Sequence, residues 1–135
     1  MTIAESRLAH VRVHDAMHTG ILTTDPSTPL RVVARLMAQQ HVHAVAVADP
    51  DYARRPWGIV TALTVAAAAA EDADMTAGEA AAGTEIATIP ANQSLDHAAQ
   101  LMVERGVNHV VVIDPHTGHP SGILSTLDVA AVYAE

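Results

Sequence analysis

The chain has 135 residues, half of them hydrophobic, and a formal net charge of −8; its seven positive charges are all arginine. That length suits one compact domain or two half-size repeats sharing a core. An acidic chain whose only aromatic residues are Trp57, Tyr52 and Tyr133 repels a phosphate polymer and lacks a stacking platform, which excludes a nucleic-acid partner. The absence of cysteine removes disulfides, thiolate metal sites and cysteine nucleophiles.

In chain order, Met1 to Glu5 carries an early acid and no apolar run, unlike a signal peptide. His10, His14 and His18 are four apart, a spacing that on a helix would put them on one face. A short β segment is expected at Ile21 to Thr24, then a polar cap region, Asp25-Pro26-Ser27-Thr28. A helix follows over Pro29 to Gln40, with Leu30, Val33, Ala34 and Met37 at helical spacing. The Val-rich stretch Ala44 to Ala48 reads as a strand, with His41 and His43 alternating on one strand face. Asp49-Pro50 marks a turn, and Arg54-Arg55 lies in a solvated loop. A further strand begins at Gly58 and a helix near Ala62. The Ala-rich segment Val65 to Ala70, ending in Glu71, Asp72 and Asp74, reads as the helix that links two halves. Acids at that end oppose the helix dipole. The stretch from Ile59 to Ala70 is the longest apolar one; Thr61 and Thr64 interrupt it, and it is too short to cross a bilayer. A cytoplasmic protein is therefore expected, and the Ala- and Arg-rich, Lys-free composition suits a high-GC bacterial genome.

The second half repeats the first. Leu30, Ala34, Leu36 and Met37 match Leu95, Ala99, Leu101 and Met102 at a separation of 65 residues. Val42, Val45, Val47 and Asp49-Pro50 match Val107, Val110, Val112 and Asp114-Pro115, and upstream Thr19, Ile21 and Thr23 match Thr84, Ile86 and Thr88. After the turn the separation becomes 64, so that Gly58-Ile59 matches Gly122-Ile123. The second copy therefore reads as a β segment at Ile86 to Ile89, a cap at Asn92-Gln93-Ser94, a helix over Leu95 to Arg105 stopped by Gly106, and a strand at His109 to Ile113. His116 and His119 lie in the turn; a strand begins at Gly122 and a helix near Thr126. The fold class is α/β (α+β), two β-α-β-β-α units, with repeat 1 over 11–70 and repeat 2 over 71–135. Neither unit is large enough to cover both faces of its sheet, so the two should pack about a pseudo-twofold axis.

Three elements recur in both copies or lead into them. They are Val13-His14-Asp15-Ala16-Met17, the passage from Leu36 to Val47 with its counterpart Leu101 to Val112, and the strand ends Gly58-Ile59-Val60-Thr61 and Gly122-Ile123-Leu124-Ser125-Thr126-Leu127-Asp128. In this order they resemble the cystathionine-β-synthase-type (CBS) repeat, here as a tandem pair covering about Val11 to Tyr133. The resemblance implies a regulatory module, not an enzyme, that binds AMP, ADP, ATP or S-adenosylmethionine in clefts between its repeats, with no cofactor. The alternative is a ligand-free CBS dimer acting as a scaffold. It also implies a homodimer through helix faces, for which Leu63, Val65, Leu127, Val129 and Val132 are candidates, and a regulated protein as partner.

The ligand motif of the family is Gly, two apolar residues, Ser or Thr, two residues, then Asp. Gly122, Ser125 and Asp128 match it fully; in the first repeat Gly58 and Thr61 are present, but Thr64 replaces the acid. A carboxylate can accept from both hydroxyls of a ribose cis-diol. A Ser three residues before it at a helix start can face the same pocket, free N–H groups there favour a phosphate, and a glycine lets a ligand approach the backbone. By the resemblance, one competent cleft would combine Gly122, Ile123, Ser125 and Asp128 with Thr19, Gly20, Ile21, Leu22, His43 and Ala44. A degenerate cleft would combine Thr61 and Thr64 with Glu85, Ile86, Ala87, Asn108 and His109. Ser125 and Thr61 read equally as helix N-caps. No metal site is assigned, because no carboxylate or thiol joins the histidines in a known zinc spacing.

Overall fold

A computed structural model describes residues 7–19, 21–48, 56–82 and 86–135. The expectations placed on Met1 to Glu5, Gly20, Asp49-Pro50, Arg54-Arg55, Thr84 and Glu85 lie outside the described residues. The elements are a 3₁₀ turn (Arg7–His10), α1 (Val13–Ala16), β1 (His18–Thr19), β2 (Thr23–Thr24), α2 (Leu30–Gln40), β3 (Ala44–Ala48), β4 (Pro56–Thr61) and α3 (Ala62–Ala70). They continue with α4 (Ala77–Ala82), β5 (Thr88–Pro90), α5 (Leu95–Arg105), β6 (His109–Ile113), β7 (Pro120–Ser125) and α6 (Thr126–Tyr133). The fold is mixed α/β, as the repeat pattern predicts.

These elements form two packed units. One spans residues 21–86 and holds the three-stranded sheet β2-β3-β4, in which β2 runs parallel and β4 antiparallel to β3. Its core is Leu30, Val33 and Met37 of α2, Val45, Val47 and Val60 of the sheet, Ala68 of α3, and Ala77, Ala80 and Ala81 of α4. The other unit joins residues 1–20 to 87–135 and holds the four-stranded sheet β1-β7-β6-β5. Its core includes Leu8, Val13, Ile89, Leu95, Ala98, Met102, Val110, Val112 and Leu124. β3 and β6 read as unbroken apolar runs rather than alternating ones, and their middle residues are buried on both faces.

The sequence repeat recurs in the backbone pairing. The Ala46 amide donates to Leu22 O, and Val111 donates to Ala87 O at the equivalent place, both at 2.9 Å. The Ala62 amide donates to His43 O, and Thr126 to Asn108 O, again both at 2.9 Å. Each hairpin slips register at the same point, after Val47 and after Val112.

The leading segments are exchanged between the sequence repeats. Helix α1, which leads into repeat 1, packs on repeat 2: the Val13 amide donates to Gln93 O (2.9 Å), His14 to Ala91 O (3.0 Å), and the Leu95 amide to Val11 O (2.8 Å). Helix α4, which leads into repeat 2, packs on repeat 1: Ala77 donates to Thr28 O (2.7 Å), Gly78 to Pro26 O (2.8 Å), and Leu30 to Met75 O (2.9 Å). Buried amides require such partners, and each unit obtains them from the segment that precedes the other repeat. Helix α4 was not expected from the sequence, although Thr76 and Glu79 form a reciprocal capping box: the Glu79 amide donates to Thr76 Oγ1 and the Thr76 amide to Glu79 Oε1, both at 3.2 Å.

Several local expectations are corrected. β2 and β5 begin two residues later than Ile21 and Ile86, and β4 and β7 begin two residues before Gly58 and Gly122. The α2 start has Pro29 at its cap with no side-chain bond; Asp25 Oδ1 accepts instead from the Ser27 amide (2.8 Å) and hydroxyl (2.6 Å). Those two bonds hold the Asp25 carboxyl below its ordinary range, so the turn gains from them above the usual carboxylate pKa and loses them as pH falls through the lowered one. In α5 the cap is as expected, Ser94 Oγ accepting from the His97 amide at 3.2 Å. His10, His14 and His18 do not share a helix face: they lie in the 3₁₀ turn, α1 and β1. His41 and His43 precede β3 rather than sitting on it.

His41 instead ends α2 in the left-handed conformation (φ 54°), where α5 has Gly106 (φ 65°). Both ends close alike, Val42 N–H to Met37 O (3.1 Å) and Val107 N–H to Met102 O (3.0 Å). Only glycine adopts this conformation without steric cost. A Cβ on Gly106 would meet nothing within 4 Å, so the cost there is purely of the backbone. His41→Gly is therefore expected to stabilise, and Gly106→Ala to destabilise, by about 1 kcal/mol each, read from the urea midpoint at unchanged slope. Equal midpoints for wild type and both variants would refute the argument.

Candidate functional site

The start of α6 gathers the motif residues. β7 delivers Gly122, Ile123 and Ser125, and the first turn of α6 carries Asp128. Ser125 is the N-cap: its Oγ accepts from the Asp128 amide at 3.2 Å. Asp128 Oδ2 accepts in return from the Ser125 amide at 2.8 Å and from the Ser125 hydroxyl at 3.0 Å. The N-cap reading of Ser125 thus holds, and the carboxylate that the motif assigns to a ligand is also the second half of a capping box. Its other oxygen, Oδ1, faces His18 Nε2 on β1 at 3.4 Å. The Asp128 side chain is 10 % exposed and that of His18 79 %. β1 lies antiparallel to β7, with Thr19 opposite Gly122 and His18 opposite Ile123. This brings together five of the expected residues, Thr19, Gly122, Ile123, Ser125 and Asp128, and adds His18, which the sequence offers only as one of three histidines at helical spacing.

The equivalent start of α3 is built from Thr61 and Thr64. Thr61 Oγ1 accepts from the Thr64 amide at 3.2 Å and lies 3.1 Å from Thr64 Oγ1. Without a carboxylate at 64, no side chain returns to the N-cap amide, and the box is half made. The remaining expected residues fall as follows. Ile21, Leu22, His43, Ala44 and Ile86 belong, with Thr61 and Thr64, to the unit of residues 21–86; Ala87, Asn108 and His109 belong to the unit holding Asp128. Ala44 and Ala87 are buried. His43 and Asn108 are exposed, and the carbonyl of each is engaged by the following helix start.

Gly122 has a packing reason of its own. A Cβ there would collide with the His18 carbonyl oxygen and sit 2.9 Å from Met17 Sδ; one on Gly58 would sit 2.6 Å from Ala81 Cβ. Both glycines admit the exchanged leading segment, β1 with Met17 in one unit and α4 in the other. Gly122→Ala is expected to destabilise by about 1–3 kcal/mol, because the atom in the way is backbone. A Gly122→Ala protein with an unaltered melting curve would show that β1 gives way freely.

Of the five candidate interface residues, only Leu63 and Leu127 stand clear, 71 % and 70 % exposed at equivalent helix positions. Val65 packs on the core of its own unit, and Val129 and Val132 on that of theirs. Among the described residues no three His, Asp or Glu side chains are placed to hold a metal ion, and no helix is long and apolar enough to cross a membrane.

A family model for the CBS domain matches the chain twice, over residues 13–71 and 77–135. No curated protein sequence matches significantly. Among solved structures, the CBS domain pair of protein MJ0100, in complex with 5′-methylthioadenosine and S-adenosyl-L-methionine, is 19 % identical with a TM-score of 0.81, covering 92 % of this chain and 96 % of that one. The CBS domain protein PAE2072 from Pyrobaculum aerophilum, complexed with AMP, is 22 % identical with a TM-score of 0.79, covering 92 % and 98 %. Hypoxic Response Protein I, with two coordinated zinc ions, is 26 % identical with a TM-score of 0.71, covering 90 % and 98 %. With the repeat, the two equivalent helix starts and the double family match in agreement, the chain belongs to the CBS domain family and is a tandem pair of its repeats.

Proposed function

We propose that this CBS pair is a regulatory sensor of an adenosine compound, which it grips by the ribose at the start of α6. The observation that carries the reading is Asp128, a carboxylate nine-tenths buried beside Ser125, with one oxygen committed to the helix cap and the other directed at a surface histidine. A ribose cis-diol is the chemistry such an oxygen suits, and the N-terminus of α6 adds a favourable field for a phosphate. Similar CBS pairs crystallised with AMP, with 5′-methylthioadenosine and with S-adenosyl-L-methionine support the ligand class. Thr64 lacks the second acceptor and the charge, so binding is asymmetric, strong at Asp128 and weak at Thr64.

The sensor works as a cytoplasmic homodimer that signals to a protein partner rather than as an enzyme. The exposed, equivalent Leu63 and Leu127 support a second copy as occupant of that helix surface. Equilibrium sedimentation showing only a 14.1 kDa species would remove the dimer.

The ligand is tested by thermal unfolding with AMP, ADP, ATP, 5′-methylthioadenosine, S-adenosylmethionine and GTP. A ligand at about 100 times its Kd stabilises by about 2.7 kcal/mol, a clear rise in midpoint. A rise with adenosine compounds and none with GTP is expected. No rise with any of them would leave the scaffold reading, in which the capping box is all that Asp128 does.

A further inference from the structure

We infer that His18 is a built-in competitor for the ribose subsite, and that an adenosine ligand must displace its imidazole from Asp128 to bind. The inference rests on the adenosine reading above and concerns how this chain regulates that site.

A carboxylate offers about four acceptor positions, two on each oxygen. Oδ2 of Asp128 already takes two donors, the Ser125 amide at 2.8 Å and the Ser125 hydroxyl at 3.0 Å. These bonds belong to the helix start and are kept as long as α6 is folded. A ribose cis-diol brings two donors of its own, which leaves Oδ1, with its two positions, to receive both. His18 Nε2 stands 3.4 Å from that oxygen. The imidazole nitrogen therefore stands in the space beside Oδ1 that the second ribose hydroxyl would enter.

His18 is well suited to stepping aside. Its backbone pairs with Ile123 across β1 and β7, so the ring hangs from a paired strand. The ring itself is 79 % exposed and contributes nothing to the core. Its hold on Asp128 is a single contact of 3.4 Å made by a ring that is itself mostly in solvent, and a contact with so exposed a partner shifts equilibria only modestly. Such a contact tunes an affinity without abolishing it. The sequence of the other repeat carries neither half of the pair: in the alignment that matches Thr19 to Thr84, Gly83 stands in the place of His18, and Thr64 stands at the acid position. The device is thus confined to the helix start that carries the carboxylate.

The decisive comparison is between ligands with and without the diol. AMP and ATP, and their 2′,3′-dideoxy forms, would be titrated calorimetrically into wild type, His18→Ala, Asp128→Asn and the double variant. Melting curves would verify that each protein is folded. Removing the competitor is expected to tighten AMP or ATP binding about two- to fivefold and to leave the dideoxy forms unchanged, because these do not need Oδ1. In the Asp128→Asn background the His18 substitution is expected to have no effect. Unchanged or weaker binding of AMP and ATP to His18→Ala would overturn the inference while leaving the adenosine reading intact. Equal tightening of ribose and dideoxy ligands would overturn it as well, since the imidazole would then obstruct some other part of the ligand. Binding of neither AMP nor ATP to any of the proteins would remove the adenosine reading at these probes and the inference with it.

Discussion

Replacing Asp128 by alanine is expected to weaken binding of an adenosine ligand at least about a hundredfold, while Thr64→Ala leaves the measured affinity unchanged. A hydrogen bond to a charged group is worth about 1.5–3 kcal/mol, and a hundredfold loss corresponds to about 2.7 kcal/mol, so loss of both ribose contacts, about 3–6 kcal/mol together, is sufficient. The alanine variant also removes half of a capping box, which costs about 0.5–2 kcal/mol of stability. Asp128→Asn separates the two effects. An amide oxygen can still accept from the Ser125 backbone N–H, so the cap is largely preserved, whereas the charge and one acceptor are gone. Calorimetric titration at a temperature where all three proteins are folded should therefore show both Asp128 variants deficient and Thr64→Ala normal. Wild-type affinity in Asp128→Asn would remove the carboxylate from the site.

Leu124→Ala is expected to cost about 2–5 kcal/mol, the range for truncating a buried leucine. Leu124 is fully buried in the core of its unit and lies on β7 next to the N-cap Ser125. A domain of this kind has about 5–15 kcal/mol in all, so the variant is left near its threshold. The control is Val103→Ala on α5, where the side chain is 82 % exposed and the change should fall within about 0.5 kcal/mol. Urea unfolding distinguishes them. Equal midpoints for the two variants would mean that the hydrophobic core is not where the structure puts it.

Much of this was legible in the residues. The apolar spacing of Leu95, Ala98 and Met102, the Ser94 cap and the Gly106 stop delimit α5 to the residue. The motif spacing put Ser125 and Asp128 together on a helix start. Several of the failures share one physical origin. The amides of Val13 and His14 find their acceptors at Gln93 and Ala91, and nothing local in Val13–Ala16 encodes a partner so distant in the chain. Gly122 was assigned to ligand approach because the His18 carbonyl that presses on it comes from that same exchange. His18 went unnoticed as a neighbour of Asp128 for the same reason. Helix α4 is different: its Thr76–Glu79 box was present in the sequence but obscured by the surrounding run of alanines.

The exchanged leading segments also constrain how the chain is made. Strand β1 pairs with β7, so His18 waits for Ile123, and most of the chain lies between them. Loop closure over such a span raises the contact order and slows folding. During synthesis the unit of residues 21–86 can close once α4 has emerged, whereas α1 and β1, although made first, stay without their partners until the last strand is complete. A chain severed between its repeats would yield two fragments, each missing a segment that the other carries. Neither would close alone, and mixing the two would restore the fold only by strand and helix complementation.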